Sequence, residues 1–271
     1  YPAANLSNPA ARTAWIQKQV AQAKMWRMDG VNFDIEYKVS PDHAHYVAEL
    51  VKETADAFRA YNPHAQISFD LPAVPLCLLM GKCYDNLGLA EACDFLFIMD
   101  YDMGNTGPIA LPNSPFIEIK LGVDLFKLQG IPANKLVLGV PWYGYDTPCL
   151  EILPGDICRV NRTFDPKNDG VRSGGITQVP YKTINKLLLK SSAGRQYSDI
   201  AQSPYFNYKD ASGQTHQVWY DDPPSLAIRY AYAKSEGLRG VGMWEADSLD
   251  YSNDPRAVNQ TKAMWDAIDK F

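Results

Sequence analysis

Eight residues, Asp29-Gly30-Val31-Asn32-Phe33-Asp34-Ile35-Glu36, constrain this chain more than any other stretch. Across residues 31–36 apolar and polar side chains alternate, which is the period of a β-strand. Val31, Phe33 and Ile35 therefore face one way, and Asn32, Asp34 and Glu36 the other. The run follows one amphipathic helical pattern and precedes another. Helix, strand, helix predicts a parallel strand buried on both faces. Carboxyl groups in a row inside a protein are costly unless they are paired or used. The alternation alone leaves two readings open: a solvated edge strand with three harmless polar residues, or a functional site.

The rest of the chain continues the alternation of helix and strand. Asn8-Pro9 opens a helix that runs to about Trp26, with Trp15, Ile16, Val20, Ala23 and Met25 as its apolar positions. Ser40-Pro41 caps a second helix that stops before Asn62-Pro63. Strands are expected at residues 67–71, 95–99, 135–140 and 238–244, and further helices near 117–128, 224–236 and 255–270. From Thr147 to about Asp222 the pattern changes: Gly, Pro, Asn and Asp are frequent. Short aromatic alternations appear there, such as Tyr205-Phe206-Asn207-Tyr208 and Gln217-Val218-Trp219-Tyr220. This predicts an α/β main body over residues 1–146 and 223–271, carrying a small inserted region over 147–222.

Charge and punctuation exclude several classes. A net charge of −5 argues against nucleic acid or an anionic membrane as partner, and no apolar run is long enough to span a bilayer. The four His are scattered, and His43 and His45 fall on opposite sides of a helix start, so no metal site is expected. No Gly-rich phosphate loop follows a strand, and there is no Ser nucleophile elbow. Of the five cysteines, Cys149 and Cys158 bracket a Pro/Gly-bearing loop in a disulfide-like way. Cys77, Cys83 and Cys93 are close enough for one further pair with one thiol left over; buried free thiols are the alternative. Three N-x-S/T triplets, at Asn5, Asn161 and Asn259, are candidate glycosylation sites. Residues 1–11 lack the basic and apolar regions of a signal peptide.

The opening run resembles the D-G-x-D-x-D-x-E signature of glycoside hydrolase family 18, the chitinase-like enzymes. Asp29, Gly30, Asp34 and Glu36 match it, and Asn32 departs from the usual Asp. Met99-Asp100-Tyr101-Asp102 resembles the family's M-x-Y-D, Gly139-Val140-Pro141-Trp142-Tyr143-Gly144 its G-x-P-x-Y-G, and Trp244 its tryptophan at the end of the last strand. Within the family the chain is most similar to the lysosomal chitobiase branch, where Asn at position 32 is familiar. The resemblance implies a (β/α)8 TIM barrel in which residues 31–36 form strand four. Five visible strands are then strands four to eight, an incomplete barrel with a small α+β insertion between seven and eight. Five strands cannot hide both edges of a barrel, so the chain is expected to be a piece of a longer precursor; the alternative is an open five-stranded sheet.

The resemblance also assigns roles. Glu36 would protonate the leaving oxygen of a glycosidic bond. Asp34, two residues earlier on the same face, would share a proton with it and orient the substrate's 2-acetamido group, whose oxygen attacks the anomeric carbon. Tyr101 would donate its hydroxyl to the acetamido carbonyl. Asn32, Met99, Asp102, Tyr143 and Trp244 would bind sugar. The implied reaction is retaining hydrolysis of the β-1,4 bond of GlcNAc-GlcNAc, in the lysosome, by a monomer without a cofactor. Rival readings are a chitinase or endo-β-N-acetylglucosaminidase of the same family, a non-catalytic chitin-binding lectin, and an inactive fragment. For Glu36 and Asp34 the competing role is a structural network with Lys or Arg; for Tyr101 and Trp244 it is core packing.

Overall fold

The computed structural model describes residues 3–104, 107–161, 164–165, 170–171 and 174–271. In chain order the elements are α1 (Pro9–Trp26), β1 (Gly30–Phe33), α2 (Ala44–Tyr61), β2 (Gln66–Pro72), α3 (Cys77–Met80), α4 (Asn86–Ala92), β3 (Phe95–Met99), α5 (Phe116–Leu128) and β4 (Leu136–Pro141). There follow β5 (Tyr143–Pro148), β6 (Glu151–Leu153), β7 (Ile157–Arg159), β8 (Phe164–Asp165), β9 (Gly170–Val171), β10 (Thr177–Pro180), α6 (Tyr181–Leu188), β11 (Gln196–Ser198), β12 (Ser203–Lys209) and β13 (Thr215–Trp219). The chain closes with α7 (Pro223–Ser235), β14 (Gly240–Trp244) and α8 (Pro255–Asp266). One sheet has the order β1-β2-β3-β4-β14. Its first three strands are parallel, with Asn32 beside Ser68 and Phe69 beside Leu96. The sheet is open, with β1 and β14 as its edges. This is the α/β alternation of a TIM barrel without closure.

Two compact units are present: Tyr1–Met99 with Leu121–Leu138 and Glu236–Gly240, and Asp100–Lys120 with Gly139–Ser235 and Val241–Phe271.

In the first unit Asn8 caps α1 by accepting the Ala11 N–H, and Pro9 takes the first helical position, where no amide hydrogen is needed. The expected apolar stripe of α1 is corrected at both ends: Met25 in its last turn is exposed, and a charged residue in its first turn, Arg12, is buried. Its guanidinium donates to the Leu6 carbonyl at 2.6 Å and to both carboxylate oxygens of Glu53, and also pairs with Glu49. Burying this cation is therefore compensated. A 3₁₀ turn at Pro41–His43 precedes α2. Val47, Leu50, Val51, Thr54, Ala55 and Phe58 form the buried stripe of α2, at helical spacing. Phe69 of β2 stacks on Phe33 and meets the Tyr84 ring edge-on. Cys77 and Cys83 form a disulfide, and Cys93 is the buried free thiol.

In the second unit β10, β5, β13, β12 and β11 form an antiparallel sheet in that order. Phe206 and Val218 are buried opposite each other, and Ile184, Tyr220, Leu226 and Tyr230 are buried in the same unit. The Cys149–Cys158 disulfide closes the β6–β7 ladder and clusters with Ala110, Val160, Ile176 and Trp219. Helix α6 lies among these strands, which matches the α+β character expected of residues 147–222. Arg229 of α7 is fully buried. It donates to the carbonyls of Ser114, Gln202 and Ser225 and to the Ser203 hydroxyl, and it pairs with Asp221 at 3.1 Å.

Candidate active site

The acidic run lies at the carboxyl end of β1, in the first unit. Gly30 is demanded by the neighbouring strand: a Cβ there would sit 1.8 Å from the Gln66 carbonyl oxygen. The strand predicted over 31–36 ends at Phe33, and Asp34 and Glu36 lie just past it. Alternation continues, with Phe33 and Ile35 buried and Asn32, Asp34 and Glu36 exposed. The expectation of burial on both faces is thus corrected: β1 is an edge strand of an open sheet, which leaves its polar face to solvent.

Four neighbours shape this acidic face. Asn32 is fixed at both ends of its carboxamide, accepting from the Ser68 hydroxyl at 2.6 Å and donating to Asp70 Oδ2 at 2.8 Å. Glu36, with 58% of its side chain exposed, accepts from Lys82 Nζ at 2.8 Å. Lys82 is held for this contact. The Val39 N–H donates to the Gly81 carbonyl, the Cys83 N–H donates to the Val39 carbonyl, and the Cys77–Cys83 disulfide closes the loop. Tyr84 donates its hydroxyl to the Ile35 carbonyl. Desolvation by surrounding protein raises the Asp34 carboxyl above its ordinary range although the side chain reaches solvent. The charge of Glu36 adds to the rise and Lys82 opposes it.

In the second unit Asp102 is the centre of a tyrosine cluster. Its backbone is left-handed, with φ of 64°, and its N–H donates to Asn113 Oδ1 at 2.8 Å. Asp102 Oδ1 accepts from Tyr143 at 2.5 Å and from Tyr145 at 2.6 Å. The Tyr101 ring meets Tyr143 edge-on at 6.1 Å, and Tyr143 meets Tyr145 in the same manner at 5.8 Å. Burial, with Asp102 beside it, drives the Tyr143 hydroxyl far up, so it stays a proton donor. Trp244 ends β14 with about half its surface exposed, and its carbonyl accepts the Trp142 N–H at 2.6 Å; the following peptide is cis. Met99 ends β3 and is half-buried.

The predicted residues therefore fall into two clusters: Asn32, Asp34 and Glu36 in one unit, and Tyr101, Asp102 and Tyr143 in the other. Six participants were missed. Ser68 and Asp70 carried a signal, since they lie two residues apart on the strand expected at 67–71 and so share a face. Tyr145 lies beyond the strand expected at 135–140. Lys82, Tyr84 and Asn113 lie in irregular segments where no period applies. Asn5, Asn161 and Asn259 are all exposed; Thr163 of the second triplet lies outside the described residues.

The family model described as "Glycosyl hydrolases family 18" matches residues 3–248. The chain is 42% identical to the di-N-acetylchitobiase of Mus musculus, over 97% of this chain and 73% of that protein. It is 39% identical to the di-N-acetylchitobiase of Homo sapiens, over 97% of this chain and 69% of that protein. Among solved structures it is similar to the GH18 chitinase from Cycas revoluta in complex with (GlcNAc)3, with a TM-score of 0.78 at 21% identity, covering 98% of this chain and 75% of that one. That likeness bears on the fold. With the acidic signature at the end of β1 and the family match along nearly the whole chain, the protein belongs to glycosyl hydrolase family 18 and is a glycosidase of that family.

Proposed function

We propose that this chain hydrolyses the β-1,4 bond of di-N-acetylchitobiose with retention of configuration. Glu36 gives its proton to the glycosidic oxygen as the bond to the anomeric carbon breaks. The 2-acetamido oxygen of the substrate attacks that carbon from the other face, so no second enzyme carboxylate acts as nucleophile. Asp34 orients the acetamido N–H, and Tyr101 donates to its carbonyl. Asn32, Met99, Asp102, Tyr143 and Trp244 bind sugar. Once Glu36 has lost its proton, Lys82 stabilises the carboxylate left behind; that carboxylate then takes a proton from the water that attacks the anomeric carbon and releases the acetamido oxygen, which restores the acid and retains the configuration. The observation that carries the reading is the pairing of an accessible Glu36 carboxyl with a neighbouring Asp34 whose proton is held unusually tightly. The two relatives named di-N-acetylchitobiase support the choice of substrate.

Residues 147–222 are read as the insertion within the barrel portion. Asn5, Asn161 and Asn259 are read as glycan acceptors, and the lysosome as the compartment, in a monomer. The test is hydrolysis of di-N-acetylchitobiose at acid pH by wild type and Glu36→Gln, with chitin polymer in parallel. The variant should lose on the order of a hundredfold or more while still binding substrate. Near-normal turnover in Glu36→Gln would refute the assignment of the acid and leave Glu36 as a structural partner of Lys82. Preference for polymer over dimer would make the protein a chitinase.

A further inference from the structure

Asp70 sits on β2, and nothing in the signature of the family run points to it. Parallel pairing sets Asn32 beside Ser68. The two-residue period then puts Ser68 and Asp70 on the same face as Asn32 and Asp34. The Asn32 carboxamide joins the two strands there: Ser68 donates to its oxygen, and its nitrogen donates to Asp70 Oδ2 at 2.8 Å. Asp70 thereby fixes which end of Asn32 carries the donor.

The groups that act on Asp70 come from β1 and the residues after it: Asn32, Asp34 and Glu36. On β3 the register partner of Asp70 is Phe97, which is apolar. Partial burial raises the Asp70 carboxyl to about 6; the bond from Asn32 opposes the rise, and Asp34 and Glu36 add to it.

We propose that Asp70 is a positioning residue of the glycosidase site. It locks the Asn32 amide and, when ionised, adds a negative charge to the face that carries Asp34 and Glu36, which sets the alkaline limit of activity. This rests on the reading of Glu36 as the acid. A negative neighbour opposes loss of a proton from a nearby carboxyl. Ionised Asp70 therefore keeps the acid form of the site in use at higher pH than two carboxyls alone would.

The test is the pH profile of kcat/KM for Asp70→Asn, which keeps the side chain's shape and removes its charge. The alkaline limb should move to lower pH by about half a unit or more, the size expected for one neighbouring charge in a partly wet site. A purely structural role would lower the profile uniformly without moving the limb, and that result overturns the proposal. Glu36→Gln separates the two failures. If that variant is inactive and the limb of Asp70→Asn coincides with wild type, the role of Asp70 fails alone. If Glu36→Gln stays active, the underlying reading fails. A measurement free of turnover runs beside these: the Asp70 carboxyl carbon, followed by NMR, should titrate near 6. Its midpoint should rise in Asn32→Ala and fall in Glu36→Gln. A midpoint near 4 that neither substitution moves would also overturn the proposal.

Discussion

Raising the pH from 4 to 7 should weaken this fold, and Asp221 shows by how much. It is fully buried, pairs with Arg229 at 3.1 Å, and accepts from the Ser225 hydroxyl at 2.7 Å. Burial outweighs both partners and pushes the carboxyl up to about 6. In the unfolded chain the same group titrates near 3.9. A carboxyl that holds its proton more tightly when folded favours the folded state below the unfolded value. That advantage is lost as the pH climbs through the folded value. The window is therefore about pH 4 to 6, and at about 1.4 kcal/mol per pH unit the loss is about 3 kcal/mol from this residue. Asp70, also held near 6, and the buried Asp100 act in the same direction, Asp70 with a smaller share because water reaches it. Asp210 and Asp250 are pulled down by hydrogen bonds from Ser212 and Ser252, so their effect falls below this window. Urea unfolding at pH 4 and pH 7 should show the midpoint falling by roughly 1 M, for an m-value of about 3 kcal/mol/M. Asp221→Asn should flatten the slope. A midpoint that rises between pH 5 and 7, or a slope untouched by Asp221→Asn, would refute the reasoning.

Two further outcomes are expected. Gly30→Ala should cost on the order of 3 kcal/mol or more, because the added methyl meets the Gln66 backbone and β1 must part from β2 to relieve it; thermal unfolding within a degree or two of wild type would contradict the close approach. Lys82→Met should lower kcat on the hydrolysis assay about tenfold, with Lys82→Arg retaining most of it, since a charged hydrogen bond to the spent carboxylate is lost. An unchanged kcat in Lys82→Met would leave the pair without a catalytic share.

The sequence made the repeating part of the fold legible and the stitching between repeats much less so. Phe95–Met99 is a run of apolar residues that needs cover on both sides, and it is the strand expected. Helix α1 starts where Asn8-Pro9 says it should, because capping is local chemistry. Cys149 and Cys158 could be paired by spacing for the same reason. The acidic face was read correctly in its alternation and wrongly in its burial, since burial depends on whether a sheet closes, which no window of eight residues reports. Arg12 shows the other limit: its partners Glu49 and Glu53 lie some forty residues away on a different helix, beyond any periodic signal. The Lys82 contact with Glu36 needed a fold before it could be seen.

Arg229 joins chain segments that are far apart in sequence. Its guanidinium binds Ser114 ahead of α5, Gln202 and Ser203 at the start of β12, and Asp221 and Ser225 around the start of α7. None of these segments can leave without stranding a buried cation or the carbonyls it serves. The second unit should accordingly open as one cooperative body. In native-state hydrogen exchange the amides of β12 and α7 would then share a single opening free energy, so that a turn-rich stretch of sequence inherits the protection of the helix beside it.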